Sequence, residues 1–476
     1  MRWKQVKKIS LMGLIGLTIA FFGSVRSLPM IAATGWEQIF FMLVSGLLFA
    51  LPIALISAEL STIWEDASGP QDWVGKILGE KWGFVTSWLL WLQMFFGMVM
   101  VSMTFSVMAG DMLGVEAMQK SHVAIFFVII GVYWLVTILN LKFDMVKLSG
   151  SYGAIIGIYI PFAILVVLGI VYFFKNGINP QGYLADFSFS KLWPNFGTIK
   201  TLPIFVGIVF IFAGVEMSSV HVKEIENPKK NYPIAVIAAV VILIVLNLLA
   251  AMGMANAIPA GKVDVSNLMD VVTIYLKDFG LPHIIYNVLA CFVAVGVFVA
   301  LSTWVLGPSK AMLQVAKAGA LPKFFQKQNK KGDPVNLVLV QATMVSLIAT
   351  MFLLPIDLGA IFILITVVTT LLYCVVYVLI MLAGMKARKA QPDLPRQFRL
   401  GAKGNGLLYV LAIITLLIIA VVTGSSLIPP DGIPAADDIG YIVFVIAAVV
   451  AAIGSGLLIF KNRKPEWKQE DVQETK

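Results

Sequence analysis

The chain has 476 residues, of which 59% are hydrophobic and only 13% are charged, and its formal net charge is +9. This apolar share lies far above that of soluble domains and excludes an ordinary water-soluble fold. Two cysteines in apolar runs and three scattered histidines suggest neither a disulfide framework nor a metal site, and we expect no cofactor. Repeated runs of about 20 apolar residues instead predict membrane helices.

Twelve apolar runs follow one another along the chain. The first follows the basic segment Met1–Lys8, and we interpret it as a retained helix, because it is too long for a signal peptide and no small-residue cleavage site follows. A helix satisfies all its backbone polar groups within one segment in hydrocarbon, so the runs predict an all-α membrane protein. The approximate limits of spans 1 to 12 are 9–33, 38–60, 83–109, 122–141, 153–175, 200–220, 233–256, 283–311, 335–355, 359–385, 405–428 and 440–460.

The distribution of lysine and arginine predicts the orientation. An even number of spans puts both termini on one side, and that side holds 28 of the 35 basic residues, while the opposite loops hold six and Arg26 lies within span 1. Because basic loops remain in the cytoplasm, we expect a multi-pass protein of the cell (cytoplasmic) membrane with cytoplasmic N- and C-termini. Orientation accounts for the basic loops, so no nucleic-acid partner is expected. Residues 1–460 are predicted to form one transmembrane domain, and 461–476 a cytoplasmic tail.

Span 1 carries a charge in the middle of its apolar run. The stretch "AFFGSVRSLPM" places Arg26 close to Gly23, Ser24 and Ser27. A charged side chain inside a membrane span is costly, and it usually faces the bundle interior or a water-filled cavity. The glycine and serines beside it suit an interrupted helix. We therefore predict a functional break in span 1.

Span 6 repeats this pattern with the opposite charge. In "FAGVEMSSVH", Glu216 follows Gly214 and precedes two serines. Transporters often consist of two inverted five-helix repeats with discontinuous helices at matching positions. Spans 1 and 6 would be the first helices of such repeats, at about 9–175 and 200–385. Spans 11 and 12, within 405–460, would then be additional C-terminal helices.

Two interrupted helices suit a zwitterionic solute. An interruption exposes N–H groups that favour a carboxylate and carbonyl groups that accept from an ammonium, and an amino acid presents both ions. We therefore predict a substrate site at the two breaks. An alternative is that Arg26 and Glu216 pair with each other and lock the fold, and a third possibility is a pair that rearranges as substrate enters.

Four segments carry a resemblance to a known family. They are "PIALISAEL" (52–60), "GVEMSSVHVKEIENPKKNYPIA" (214–235), "WVLGPSKAMLQVAKAGALPKFFQKQNKKGDPV" (304–335) and "LLYCVVYVL" (371–379). Here the chain resembles the amino acid–polyamine–organocation superfamily, and within it the glutamate/GABA antiporter branch, over nearly its whole length. The resemblance implies a LeuT-like bundle of twelve helices with five-plus-five inverted repeats. It also implies exchange of an amino acid, often against its decarboxylation product.

The resemblance extends to particular residues. It implies that Arg26 occupies the unwound part of span 1 and that Glu216 matches the glutamate of span 6. Two tyrosines of span 10 match Tyr373 and Tyr377, whose i, i+4 spacing puts both hydroxyls on one helix face. Ordinary packing is the alternative for the tyrosines, and we favour a role in a pocket or a gate.

The chain also departs from the glutamate antiporters. They have a tyrosine–glutamate pair where this chain has Arg26 and Ser27, and a glutamate on span 8 where it has Ala300. Their long C-terminal plug has no counterpart in the short predicted tail. Specificity for GABA and gating by acid are therefore not supported by the sequence.

Coupling to an ion is the last feature that the sequence raises. Ser302 and Thr303 lie where related folds place two hydroxyls that bind sodium, although hydroxyls bonded to their own helix are the more common case. No phosphate-binding loop or nucleophile–base arrangement points to an enzyme. The sequence thus predicts a secondary transporter, an exchanger of an amino acid or amine, in the lipid bilayer. A proton- or sodium-coupled symporter and a non-transporting membrane sensor are the alternatives, and the oligomeric state stays open.

Overall fold

The computed structural model describes residues 9–22, 25–64, 67, 69–143, 145, 155–194, 201–217, 219, 225–401 and 404–469. This part of the chain is helical, and no β-strand occurs in it beyond isolated bridges. Ten of its helices are long and apolar enough to cross a membrane, and they coincide with predicted spans 2–5 and 7–12. They are Gly35–Ser61, Glu80–Leu113, His122–Lys142, Ile155–Asn176, Pro228–Ala257, Ile284–Ala320, Val335–Leu353, Leu358–Ala390, Gly406–Ser425 and Asp438–Lys461. The chain is a multi-pass membrane protein.

The two remaining predicted spans are the ones with a charge well inside the apolar run, and both are interrupted. Span 1 consists of the helix Leu11–Phe22, a 3-10 turn at Val25–Ser27 and the short helix Leu28–Ala32. Span 6 begins as the helix Leu202–Phe210 and then loses α-helical geometry, with Gly214 at a φ of +97°. A side chain at that φ would be strained, so the glycine permits the break.

Burial separates a central helix from peripheral ones. Of the most apolar 18 residues of span 10, 89% are buried within the protein, against 17% for span 12. Apolar side chains that are exposed on span 12, such as Ile439 and Val450, suit contact with lipid tails. Span 10 therefore lies in the middle of the bundle, where its side chains reach several neighbouring helices.

Glycine pairs set the position of span 5. Gly157 meets Gly296 of span 8 so closely that a Cβ on Gly157 would lie 1.9 Å from the Gly296 Cα. Further along span 5, Gly169 approaches Gly253 of span 7. Small residues allow the backbones of two membrane helices to come close together. Van der Waals contacts then stabilise the helix pair, because the hydrophobic effect does not drive helix association in lipid.

A buried ion cluster ties span 2 to the segment that follows span 10. Arg388 donates to both oxygens of Glu59, at 2.5 Å from Nε to Oε1 and 2.6 Å from Nη2 to Oε2. The Arg396 Nε lies 3.1 Å from the same carboxylate, and the backbone N–H of Leu400 donates to it at 2.8 Å. Glu59 and Arg388 are at most 2% exposed. These buried contacts hold the segment with Arg396 and Leu400 against the ends of spans 2 and 10.

The chain after span 12 returns to the bundle. Gln326 donates from Nε2 to the carbonyl of Trp467 at 2.6 Å, and the N–H of Gln469 donates to the carbonyl of Lys317 at 3.0 Å. The described part of the predicted tail is therefore attached to the segment that follows span 8.

Candidate functional site

A cavity of about 120 Å³ lies where the interrupted parts of spans 1 and 6 meet spans 3, 5, 8 and 10. Span 1 contributes its 3-10 turn, and span 6 contributes the end of its helix and the residues just beyond. The lining residues on these two spans are Val25, Arg26, Ser27, Phe210, Ile211 and Ala213. The cavity is thus built around the two breaks.

The structure brings three of the predicted site residues to the cavity wall. Arg26 and Ser27 line it from span 1, and Tyr373 lines it from span 10. Arg26 is partly buried and Ser27 is buried. The predicted residues Gly23 and Ser24 lie outside the described residues.

The other three predicted residues, Gly214, Glu216 and Tyr377, lie next to the cavity and are linked by hydrogen bonds. The Tyr377 hydroxyl donates to Oε2 of Glu216 at 2.7 Å and accepts from the N–H of Gly214, also at 2.7 Å. Glu216 is fully buried, and its Oε1 has no hydrogen-bond partner among the described residues. Span 10 therefore fixes both the backbone and the carboxylate of the span 6 break.

The two tyrosines form one stacked unit, and their predicted common face is confirmed. The rings of Tyr373 and Tyr377 lie 5.6 Å apart at an angle of 23°. Phe210 packs against Tyr373, and Phe49 packs edge-on against Tyr377 at 5.5 Å. The stack reaches from the cavity wall to Glu216, so that movement of one ring changes the surroundings of the other.

The two predicted ion ligands have different surroundings. Ser302 is buried, and its hydroxyl accepts from Nδ2 of Asn140 on span 4 at 3.0 Å. Thr303 is exposed and donates to the carbonyl of Val299 in its own helix at 3.1 Å. Neither of them lines the cavity. Their adjacency in sequence puts them on different sides of the helix.

Gln93 of span 3 is a cavity residue that the sequence did not reveal. It lines the cavity, is 1% exposed, and uses its Nε2 to donate to the carbonyl of Leu90 at 3.1 Å. Its Oε1 has no hydrogen-bond partner among the described residues. A single amide within an apolar run does not by itself predict a cavity residue, because the same pattern occurs where an amide bonds only to its own helix.

The remaining wall comes largely from spans 3 and 8 and is apolar. On each helix the lining positions recur at a spacing of three or four residues, which puts them on one face. They are Met94, Gly97, Met98 and Val101 on span 3, and Val293, Gly296, Val297, Ala300 and Trp304 on span 8.

Comparison with known proteins places these features in a family context. The sequence model described as "Amino acid permease" matches residues 9–450. An uncharacterized transporter of Legionella pneumophila is 26% identical over 98% of this chain and 99% of its own length.

Two further relatives have more specific names. A glutamate/gamma-aminobutyrate antiporter of Lactococcus lactis subsp. cremoris is 32% identical over 72% of this chain and 68% of its own. A Lactococcus lactis subsp. lactis protein named "Probable agmatine/putrescine antiporter AguD" is 27% identical over 87% of each chain.

Proposed function

This chain belongs to the amino acid permease family, and we propose that it is a secondary transporter that exchanges one amino acid for another, or for a decarboxylation product. The observation that carries the proposal is the cavity at the two helix breaks, because a break exposes backbone groups that bind a zwitterion. The names of the glutamate and agmatine antiporters support exchange as the mode of transport.

Substrate would bind between the two breaks. In this proposal Arg26 and Ser27 bind the solute from span 1, together with the backbone at Gly23 and Ser24. On the other side, Gly214 and Glu216 form the span 6 half of the site, and Tyr373 and Tyr377 act as a gate between the cavity and the buried carboxylate. The hydrogen bonds of Tyr377 to both elements of the break support this role.

The proposal includes a finer architecture. We infer twelve spans, because the two interrupted segments add to the ten continuous helices. They would form inverted repeats at about 9–175 and 200–385 with extra helices within 405–460, in the cell membrane with both termini cytoplasmic, including the tail 461–476. Spans 1, 2, 6 and 7 would rock against spans 3, 4, 8 and 9 to give alternating access.

An ion-coupled symporter is the second candidate. The favouring observation is at Ser302, where the neighbouring Asn140 is fully buried and its Oδ1 has no hydrogen-bond partner among the described residues. Sodium prefers such oxygen ligands. Thr303 would contribute only if the helix turned, since its hydroxyl is exposed.

Counterflow in proteoliposomes tests the proposal. Vesicles are loaded with single amino acids or amines, and uptake of labelled amino acid is followed with and without ion gradients. Uptake that needs an internal solute establishes exchange. Uptake into empty vesicles driven by a sodium or proton gradient establishes symport instead, and absence of both contradicts transport. Vesicles with the variant Gly131→Ala serve as the matched control, because Gly131 is an exposed position in the helix of span 4 where a new Cβ meets nothing within 4 Å.

A further inference from the structure

The part of the cavity wall that the structure describes carries a basic side chain. Among the described residues that line it, Arg26 is the one charged side chain, and none carries a carboxylate. The nearby carboxylate of Glu216 is not part of the lining, and Tyr377 holds one of its oxygens at 2.7 Å. The positive charge of Arg26 on the wall favours a carboxylate in this cavity and disfavours a second cation.

The same cavity contains a buried acceptor, the amide oxygen of Gln93. A Cβ built on Gly97 would lie 3.9 Å from this oxygen, and Gly97 itself lines the cavity. The oxygen is buried and has no hydrogen-bond partner among the described residues. Leaving a buried acceptor unsatisfied costs free energy, and an ammonium from the solute would satisfy it.

Among the residues that the structure describes, the rest of the wall offers no further ionic group. On span 3, Met94, Met98 and Val101 line the cavity, and on span 8 Val297 and Trp304 do so. A side chain that carries a second charge would have to lose its water against these apolar groups without a partner, which is unfavourable. An apolar side chain would gain by the same burial.

We propose that this transporter carries amino acids with apolar side chains, that Arg26 binds their carboxylate, and that the amide oxygen of Gln93 accepts from their ammonium. This inference rests on the proposed function above and narrows it. Cationic amines lack the carboxylate that Arg26 would bind, so the counter-substrate is a second amino acid. The specificity would thus differ from that of the relatives named for glutamate and for agmatine.

The test combines counterflow with binding. Purified full-length protein is tested with leucine, methionine, phenylalanine, glutamate, agmatine and putrescine. Exchange is measured in proteoliposomes, and binding is measured as the shift of the melting temperature in detergent, because a ligand that binds the folded state stabilises it. We expect exchange of the three apolar amino acids to exceed that of glutamate and the two amines by about tenfold or more.

Two variants of one residue separate the role of Gln93 from packing. Gln93→Met keeps the length of the side chain and removes the acceptor, so leucine exchange should fall about tenfold and its melting shift should shrink. Gln93→Glu adds a negative charge to the cavity and should raise putrescine exchange relative to leucine. Thr343→Val is the control, since Thr343 is exposed and bonds to its own helix.

The outcomes distinguish the inference from the broader function. The inference is overturned if glutamate or putrescine is exchanged as fast as leucine, or if leucine exchange by Gln93→Met is unchanged. Either result leaves the proposed transport function standing. A leucine-specific melting shift without exchange supports the inference about binding and contradicts transport. If none of these solutes gives exchange or a melting shift, both the inference and the proposed function are overturned.

Discussion

Tyr377 connects the backbone of one interrupted helix to the carboxylate that follows it. Its hydroxyl accepts from the N–H of Gly214 and donates to Oε2 of Glu216, each at 2.7 Å. The φ of +97° at Gly214 marks the break in the helix at this point. Any rearrangement of the span 6 break must therefore exchange these two hydrogen bonds for others.

Removing the hydroxyl should weaken both the fold and transport. In Tyr377→Phe, Glu216 and the N–H of Gly214 each lose their bond to this residue, and an unsatisfied buried group costs about 1–3 kcal/mol. We expect a lower melting temperature in detergent and at least about tenfold slower counterflow. Tyr409→Phe, which removes a hydroxyl bonded to the carbonyl of Met385 outside the site, is the control. Equal effects of the two variants would contradict a special role for Tyr377.

Neutralising Glu216 should separate charge from hydrogen bonding. In Glu216→Gln the amide oxygen still accepts from Tyr377, so expression and melting temperature should stay close to those of the original protein. Counterflow should nevertheless fall at least about tenfold, because the buried charge at the break is lost. Normal counterflow by this variant would remove the Glu216 charge from the mechanism.

The strongest features of the fold were predictable from local sequence. Ten apolar runs became continuous helices because hydrocarbon allows little else for such runs. The breaks were predictable because a charge and a glycine inside an apolar run are expensive unless the helix opens there. Arg26 and Glu216 gave that signal without any knowledge of their neighbours.

Contacts between distant segments were not predictable in the same way. Gln93 looks the same in sequence whether its amide faces a cavity or only its own helix. Arg388 looked like one more basic residue that sets orientation, yet it reaches across 329 positions to the carboxylate of Glu59. Sequence alone could not assign these partners to Glu59, because Arg396 and Leu400 belong to a loop whose path only the fold determines.

The cluster at Glu59 should be important for stability. Glu59→Ala leaves the buried Arg388 without its carboxylate, and breaking a buried pair in this way costs about 3–5 kcal/mol. We expect a clear fall of the melting temperature in detergent. The control is Glu116→Ala, which breaks a fully exposed pair with Lys120 and should change little. Equal melting temperatures for both variants would contradict an essential ion cluster.

The close contact of spans 5 and 8 gives a matched pair of glycine variants. In Gly296→Ala the new Cβ would lie 2.4 Å from the Gly157 Cα, so the two helices must separate, and both glycines line the cavity. Overpacking of this kind costs about 1–3 kcal/mol, and we expect a lower melting temperature together with slower counterflow.

Gly131→Ala lies within the helix of span 4, at an exposed position where the new Cβ meets nothing within 4 Å. It should gain helix propensity of up to about 1 kcal/mol, so its melting temperature should be equal or higher and its counterflow normal. Because both variants replace a glycine by alanine within a membrane-spanning helix, a difference between them reports on the contact of Gly296 with Gly157. If Gly296→Ala melts and exchanges like Gly131→Ala, the inferred close approach of spans 5 and 8 at the cavity is wrong.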